Sequence, residues 1–316
     1  METNEKYQTK LEQMYNDIER AAEIAGVPYD RYVIRSVLQA YKNFFSGSPV
    51  TFVTNTRPQK ERKLSVRYVD LQVPHDPFQT ALEKGFITAG SHPIYELLVE
   101  IRSRFPMMGY GIDLEVSRGL SKIWPFVTPQ PVEKILQITT LPRSVRDYFP
   151  YFYRHNLEVF YLFSLDYLGK AVNIYFMIKE PGQLTARHIT DMLTGLDFAV
   201  PSAEILEYCT QATTIYPTFS WDSEDITRLC FGVNAHDPKQ VPTHLDPLLD
   251  IFTRQAPILS KQRKFIYSLT FERRNNYIKI ENDYTGTMID IIERSATQPG
   301  VNQPGPGEGK GKGNGI

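Results

Sequence analysis

The stretch KAVNIYFMI (170–178) decides how this chain folds. Its alternate residues Val172, Ile174 and Phe176 are apolar, and the residues between them mix polar with aromatic groups. Because successive side chains of a strand point to opposite faces, the segment has one apolar and one polar-aromatic face. A sheet face in contact with water rarely has this composition. The pattern predicts a strand whose mixed face looks into the interior of a barrel or sandwich.

Four further segments repeat this pattern and place a cation on the mixed face. They are LSVRYVDL (64–71), LSKIWPFV (120–127), ITRLCFGVN (226–234) and NYIKIEND (276–283). The cations are Arg67, Lys122, Arg228 and Lys279, and Gly232 shares the face of Arg228. Side chains that alternate in this way on separate strands are expected to converge in one lumen.

The order of predicted elements indicates one α+β domain. Pairs of helices alternate with pairs of strands about five times. Strands are predicted at 50–56, 64–72, 109–117, 120–127, 157–166, 170–178, 212–219, 226–234, 264–272 and 276–283. The connections between paired strands are as short as those of β-hairpins, which implies antiparallel pairing. Closure of the sheet into a barrel would remove its edges. We therefore predict a single-domain, ten-stranded antiparallel β-barrel surrounded by helices over residues 1–296. The Gly/Pro/Lys-rich segment 297–316 is predicted to be a disordered tail.

Composition excludes several classes of protein. The 316 residues carry a formal net charge of −1, so no overall field attracts the chain to nucleic acid or to an anionic membrane. Cys209 and Cys230 are the only cysteines, which favours a reducing cytoplasmic setting. The sequence has no run of 18 apolar residues and no signal-peptide pattern at its start. We expect a cytoplasmic monomer without nucleic-acid or membrane partners.

Common catalytic and metal motifs are missing from the sequence. GPGEGKG, within the tail, resembles a phosphate loop but lacks the Ser or Thr and the flanking strand and helix. The six histidines show no metal-ligand spacing, and no Asp-rich run typical of Mg²⁺–diphosphate sites occurs. We therefore predict no metal site and no cofactor.

The cations of the mixed faces need a partner. A single lysine on a strand usually reaches solvent, but Lys122, Arg228 and Lys279 lie on different strands and are predicted to converge. Burying a cation without a counter-charge costs several kcal/mol. Glu115 and Glu281 are the main acids on these faces. A bound diphosphate would supply the missing negative charge, with hydrogen bonds from neutral groups. These neutral donors are Asn173, Tyr216 and Thr54.

Aromatic side chains share the predicted lumen. They are Trp124, Tyr161, Phe163, Tyr175 and Tyr216. Aromatic residues at this spacing usually just fill a barrel. Beside a diphosphate they also stabilise a carbocation through their π-faces, by roughly 0.5–2 kcal/mol each when desolvated.

Six segments in this order resemble the soluble ABBA aromatic prenyltransferases, the bacterial and fungal enzymes of naphterpin, clorobiocin and phenazine type. They are DPFQTALEKGFI (76–87), GIDLEV (111–116), LDYLGKAVNIYF (165–176), IYPTFSW (215–221), RLCFGVNAHDP (228–238) and RKFIYSLT (263–270). The resemblance extends over about residues 5–295, and the fold of that family agrees with the predicted barrel.

The resemblance implies transfer of a prenyl group, usually dimethylallyl from its diphosphate, to an electron-rich aromatic carbon. By motif position the diphosphate ligands would be Lys122, Asn173, Tyr216, Arg228 and Lys279. Lys170 would replace a supporting lysine, displaced by one position in its hairpin. The prenyl and aromatic pockets would be lined by Trp124, Tyr161, Leu162, Tyr175 and Thr214, and we add Phe163 and Gly232 from their predicted faces.

Two positions depart from the family pattern. Members that require Mg²⁺ carry an Asp where this chain has Ser65, and Arg67 on the same face would supply positive charge in place of the metal. We therefore expect metal independence, with Arg67 among the diphosphate ligands. Glu281 replaces a Gly of some members; its carboxylate either accepts the proton of the arenium intermediate or only forms an ion pair with Lys279 or Arg228.

Two alternatives compete with this prediction. A non-enzymatic barrel that binds an aromatic or isoprenoid ligand would not need several unpaired cations. A terpene cyclase would need Asp-rich helices, which the sequence lacks. Prenyl transfer by Friedel–Crafts alkylation is thus the favoured function.

Overall fold

The computed structural model describes residues 2–42, 48–71, 76–178 and 182–297, with side chains described between residues 11 and 293. The predicted disordered tail lies outside the described residues, except for Thr297, where the last helix ends.

Ten antiparallel strands form a closed barrel, as predicted. Their bounds are β1 Val50–Asn55, β2 Ser65–Asp70, β3 Met107–Glu115, β4 Gly119–Pro131, β5 Val159–Asp166, β6 Ala171–Met177, β7 Thr214–Ser220, β8 Arg228–Ala235, β9 Phe265–Phe271 and β10 Asn276–Asp283. Each strand pairs with its neighbours in the chain, and β1 also pairs with β10, which closes the sheet. The seam runs from Thr51 opposite Asp283 to Asn55 opposite Lys279.

Helices cover the outside of the barrel. Their bounds are α1 Glu2–Ala25, α2 Arg31–Ala40, α3 Pro77–Glu83, α4 Ile94–Arg104, α5 Arg143–Asp147, α6 Phe149–Arg154, α7 Ala186–Thr194, α8 Ala203–Thr210, α9 Pro247–Gln255 and α10 Met288–Thr297. Single 3-10 turns occupy Gln59–Glu61, Val132–Gln137, Pro238–Gln240 and Thr243–Leu245. The apolar outer faces of the strands pack against the helices in one continuous core.

Strand β6 shows how this sequence separates core from lumen. Val172, Ile174 and Phe176 are fully buried in the outer core. Asn173 and Tyr175, which alternate with them, line the interior cavity. The period-two pattern of the opening segment is therefore confirmed.

Strand β5 departs from simple alternation. The register with β6 shifts between Phe160 and Leu162, and this irregularity lets both Tyr161 and Leu162 face the cavity. Phe163 then points outward, where it is fully buried and packs edge-on against Phe160. The prediction that Phe163 lines the pocket is wrong, because a bulge of this kind offsets which residues face each side.

One end of the cavity is bounded by α10. Asp283 holds the start of this helix: its carboxylate accepts hydrogen bonds from the backbone N–H groups of Gly286 (2.8 Å), Met288 (2.8 Å) and Ile289 (3.4 Å). Met288 and Ile292 of α10 line the cavity. The helix is thereby fixed across the lumen by a buried acceptor at its N-terminus.

Among the described residues, none of the helices combines the length and the apolar character needed to cross a membrane.

Candidate active site

The lumen holds a cavity of about 510 Å³ to which all ten strands contribute side chains. A volume of this size is typical of sites for small organic ligands. Basic groups concentrate around Lys122, Arg228 and Lys279, and aromatic and aliphatic groups form a separate chamber. We call this chamber the apolar chamber; it comprises Val69, Trp124, Phe126, Tyr161, Leu162, Tyr175, Tyr216, Cys230 and Met288.

The three predicted cations lie together, as the pKa of Lys122 shows. Burial lowers the pKa of Lys122. The carboxylates of Asp166 and Asp113 counteract this shift, whereas the charges of Lys279 and Arg228 lower the pKa further. The ammonium of Lys122 is 3.7 Å from the carboxylate of Asp166. A half-buried ammonium next to two like charges is stabilised by any additional anion.

Arg228 and Lys279 pair with no carboxylate in the part of the chain that the structure describes. Arg228 donates a long hydrogen bond of 3.4 Å to the hydroxyl of Tyr277. The ammonium of Lys279 lies 3.5 Å from Sγ of Cys230 and 5.0 Å from the ring centroid of Tyr216. Burial would raise the pKa of Tyr277, but Lys279 and Arg228 outweigh it, and the pKa lies below the usual tyrosine value. Burial would lower the pKa of Arg228, but Tyr277 and also the carboxylate of Glu272, which pairs with Arg57, are among the groups that raise it. Two cations that form no ion pair within the described residues therefore face the same space.

Neutral polar groups accompany these cations. Asn173 accepts a hydrogen bond of 2.8 Å from Thr218, and its amide is 3.4 Å from the hydroxyl of Tyr175. Tyr216 also lines the cavity, and burial raises the pKa of its hydroxyl, which stays protonated and able to donate. Thr54 instead donates to the carbonyl of Lys63, so its hydroxyl is already used.

A row of aromatic rings crosses the lumen. Tyr175 stacks on Tyr216 at a centroid distance of 4.3 Å and meets Trp124 at 5.3 Å. Lys279 lies over the Tyr216 end of the row and Arg67 over the Trp124 end, 3.9 Å from the ring centroid. The row of rings thus runs from the ammonium of Lys279 to the guanidinium of Arg67.

Tyr161, Leu162, Thr214 and Gly232 line the cavity as predicted. The Tyr161 hydroxyl is 3.4 Å from that of Thr214. A Cβ built on Gly232 would lie 2.7 Å from Cγ2 of Thr214, closer than real contacts allow. Any larger residue at this position would therefore force Thr214 to shift.

The structure corrects the expected surroundings of Arg67 and Glu281. Arg67 lines the cavity, but Nε is 2.8 Å and Nη2 3.2 Å from the carboxylate of Asp113, and Nη1 pairs with Glu281. Glu281 also accepts a hydrogen bond of 2.7 Å from Thr51. The expected ion pair of Glu281 with Lys279 or Arg228 is wrong, because Arg67, on the strand beyond β1, takes both carboxylates.

Lys170 is not among the cavity-lining residues. It sits at a positive φ of 49° in the β5–β6 hairpin, and its ammonium bonds the hydroxyl of Tyr95 on α4. The prediction of Lys170 as a supporting lysine of the diphosphate site therefore has no support in this geometry, since its ammonium is engaged by a tyrosine that also lies outside the cavity lining.

Asp113 and Asp166 are the charged partners of Lys122 that sequence reasoning missed. The alternation in GIDLEV already places Asp113 on the face of Glu115, and the β3–β4 register sets it directly opposite Lys122. Asp166 ends β5 opposite Lys122 on the other side. Only the register shows that each acid stands next to a cation, and register is not visible in one strand.

The comparisons with known proteins identify the family. The family described as aromatic prenyltransferase Orf2 matches residues 9–295, so this chain belongs to that family and is an aromatic prenyltransferase.

Individual relatives agree with this assignment. The chain is similar to the 5,10-dihydrophenazine-1-carboxylate 9-dimethylallyltransferase of Streptomyces anulatus, with 30% identity over 276 residues, 86% of this chain and 92% of the relative. It is 25% identical to the flaviolin linalyltransferase of Streptomyces virginiae over 277 residues, 86% of this chain and 91% of the relative.

A solved structure shares the fold. The 5-dimethylallyl tryptophan synthase from Streptomyces coelicolor, solved with DMASPP and Trp, has a TM-score of 0.58 at 13% identity, covering 93% of this chain and 98% of that one. The predicted barrel of this enzyme family is therefore confirmed at the level of fold.

Proposed function

We propose that this enzyme transfers a dimethylallyl group from dimethylallyl diphosphate to a carbon of an electron-rich aromatic, a phenol, dihydroxynaphthalene or phenazine-like ring. One observation carries the proposal: Arg228 and Lys279, without a carboxylate partner in the described ranges, lie beside a row of stacked aromatic rings. The relatives named as dimethylallyl and linalyl transferases support a prenyl donor.

The charges of the site favour departure of diphosphate. As the C1–O bond of the donor breaks, negative charge develops on the diphosphate oxygens, where Lys122, Arg228 and Lys279 stabilise it. Cations already fixed in a dry site need little reorganisation, so they stabilise this charge more effectively than water does. Asn173 and Tyr216 donate neutral hydrogen bonds to the same oxygens.

The aromatic row shelters the allylic cation. Trp124, Tyr175 and Tyr216 face it with π-electrons and exclude the water that would capture it. A carbon of the acceptor ring attacks C1 and forms the new C–C bond. The arenium intermediate then loses the ring proton to Glu281 or to water, which restores aromaticity. The bulk of Trp124 favours the five-carbon donor.

Metal independence is part of this proposal. Ser65 lines the cavity where a carboxylate would be needed, and the nearby acids Asp113 and Glu281 already bind Arg67. Within the described residues, no three His, Cys, Asp or Glu side chains are grouped to hold a metal ion. We expect excess EDTA to leave turnover within about twofold of its value with Mg²⁺. Loss of activity that Mg²⁺ restores would contradict metal independence.

We also place the reaction in the cytoplasm, with two small-molecule partners and neither nucleic acid nor membrane. Both cysteines are free and buried, which agrees with a reducing compartment.

Incubation with dimethylallyl diphosphate and a dihydroxynaphthalene tests the function. Released diphosphate and a product heavier by one dimethylallyl group, found by mass spectrometry, are the expected results. A non-enzymatic barrel would bind both compounds and release nothing. A panel of phenols, naphthalenes, flavonoids and phenazines then defines the acceptor.

A further inference from the structure

The charges that line the cavity set a condition on the second substrate. Among the described residues, seven basic and five acidic side chains line it. The basic ones are Arg57, Lys63, Arg67, Arg118, Lys122, Arg228 and Lys279. The acidic ones are Glu61, Asp113, Glu115, Asp166 and Glu281.

Most of the basic groups already have an acidic partner. Arg57 pairs with Glu61 at 3.3 Å and also with Glu272. Lys63 pairs with Glu115 at 3.0 Å, and Arg118 lies 3.9 Å from the same carboxylate. Lys122 faces Asp166 at 3.7 Å.

The cations left over are Arg228 and Lys279, and the proposed diphosphate takes both. A diphosphate ester carries at least two negative charges at neutral pH, enough to balance these two side chains. After the donor has bound, the positive charge that remains lies with Lys63 and Arg118, which share the single carboxylate of Glu115 and are both about half exposed to solvent.

The apolar chamber provides even less positive charge for an anion than the basic side of the cavity. Two cations border it: Lys279, over the ring of Tyr216, is taken by the proposed diphosphate, and Arg67, over the ring of Trp124, is held by Asp113 and Glu281. Arg67 and its two carboxylates together carry one net negative charge. Asn234, a polar residue of the cavity lining, donates to the carboxylate of Glu293 at 3.1 Å. An acceptor carboxylate in the chamber would meet negative charge without a free cation among the described residues. Like charges placed together in a dry site repel each other strongly.

We infer that the acceptor of this enzyme is an uncharged arene, not an aromatic carboxylate. The inference rests on the proposed function and narrows its substrate class. It separates this chain from its relative in Streptomyces anulatus, whose name gives a dihydrophenazine carboxylate as acceptor. The same net negative charge that disfavours a carboxylate favours the positively charged arenium intermediate.

Matched pairs of acceptors test the inference. A dihydroxynaphthalene is compared with the same ring bearing one carboxylate, and phenazine with phenazine-1-carboxylate, at a pH where the acids are ionised. Dissociation constants are measured by calorimetry in the presence of a non-reacting thiolodiphosphate analogue of the donor, so the result does not depend on turnover. We expect the uncharged member to bind at least about 100-fold more tightly. Equal or tighter binding of the carboxylate overturns the inference, whether or not prenyl transfer is observed.

A charge variant tests the cause. Asp113→Asn removes one of the two carboxylates that hold Arg67, and it should reduce the preference for the uncharged ring by about tenfold. Glu61→Gln makes the same charge change beside Arg57 and should leave the preference unchanged. Thermal unfolding checks that Asp113→Asn is folded. If that variant does not fold, Glu281→Gln replaces it in the binding measurement. An unchanged preference in a folded variant contradicts the electrostatic origin.

Discussion

Arg228 and Lys279 are single side chains on which the proposed chemistry depends. Because each is a fixed positive charge without a carboxylate partner in the described part of the chain, its loss removes stabilisation from the departing diphosphate. We expect Arg228→Ala or Lys279→Ala to lower kcat by a factor of ~10² or more. Arg254→Ala is the matched control, because Arg254 is an exposed residue of α9 that pairs with Asp250. Near-normal turnover of both site variants would remove these residues from the mechanism.

Lys122 should determine the alkaline side of the pH profile. Burial and the charges of Lys279 and Arg228 lower its pKa, so it loses its proton before an ordinary lysine does. Raising the pH removes positive charge from the donor site. The decline of kcat/KM for the donor should therefore occur at a pH below the usual lysine pKa of about 10.4. Lys122→Arg keeps its charge and should move this limb to higher pH.

Tyr277 requires a control in the same experiment. Its pKa is also lowered, and its ionisation would add negative charge at Arg228. Tyr277→Phe should leave the Lys122 limb in place. If instead Tyr277→Phe removes the limb and Lys122→Arg does not move it, the titrating group is the tyrosine.

The sequence alone predicted which side chains line the cavity wherever the alternation of a strand decides which face a residue lies on. Lys122 and Lys279 lie inside their strands, Arg228 begins β8, and all three line the cavity. Partners were not predictable, because Arg67 meets Asp113 and Glu281 across two different strand pairs. Lys170 failed for a related reason: a hairpin turn does not follow the period of its strands.

At the scale of elements, strand positions followed closely from the sequence. Predicted strands such as 276–283 coincide with the observed ends of β10, since composition and turns mark both boundaries. The sequence did not predict the irregularity in β5. FYLFSL is apolar on both faces, so its alternation does not distinguish the face that lines the cavity from the face that packs outward. Phe163 was therefore placed on the wrong face.

Helix α10 provides a prediction at this scale, through its capping residue Asp283. Burial raises the pKa of Asp283 to about 6, although three backbone N–H groups oppose the rise. A carboxyl whose pKa is higher in the folded than in the unfolded chain binds its proton more tightly when folded. The contribution of Asp283 to the free energy of unfolding should thus decrease as the pH rises from about 4 to about 6, and stay level above.

The measurement is urea unfolding of the wild type and Asp283→Asn between pH 4.5 and 7.5. The unfolding free energy of the wild type minus that of Asp283→Asn should decrease as the pH rises to about 6. Glu61→Gln, an exposed change of the same kind, should give a difference without this trend. A difference for Asp283→Asn that grows with pH would show that the carboxylate is stabilised, not destabilised, by its surroundings.

The whole molecule is expected to be a monomer. A closed barrel leaves no strand edge for another chain to extend, and the large exposed apolar side chains of the described residues, such as Tyr32 and Leu259, lie on separate elements. Light scattering should give a mass near 36.4 kDa over a wide range of protein concentrations. A mass twice as large at micromolar protein would contradict the prediction.

The pairing of β1 with β10 has a consequence for biosynthesis. The two strands that meet at the seam are the first and the last of the ten along the chain, so a ribosome must release all of the strands before the circle is complete. Such distant pairing is slow, since a very long loop has to be closed first. Lys279 and Glu281 arrive with the last strand. A nascent or prematurely terminated chain therefore has no reaction chamber. The ability to bind substrates arises only when β10 pairs with β1.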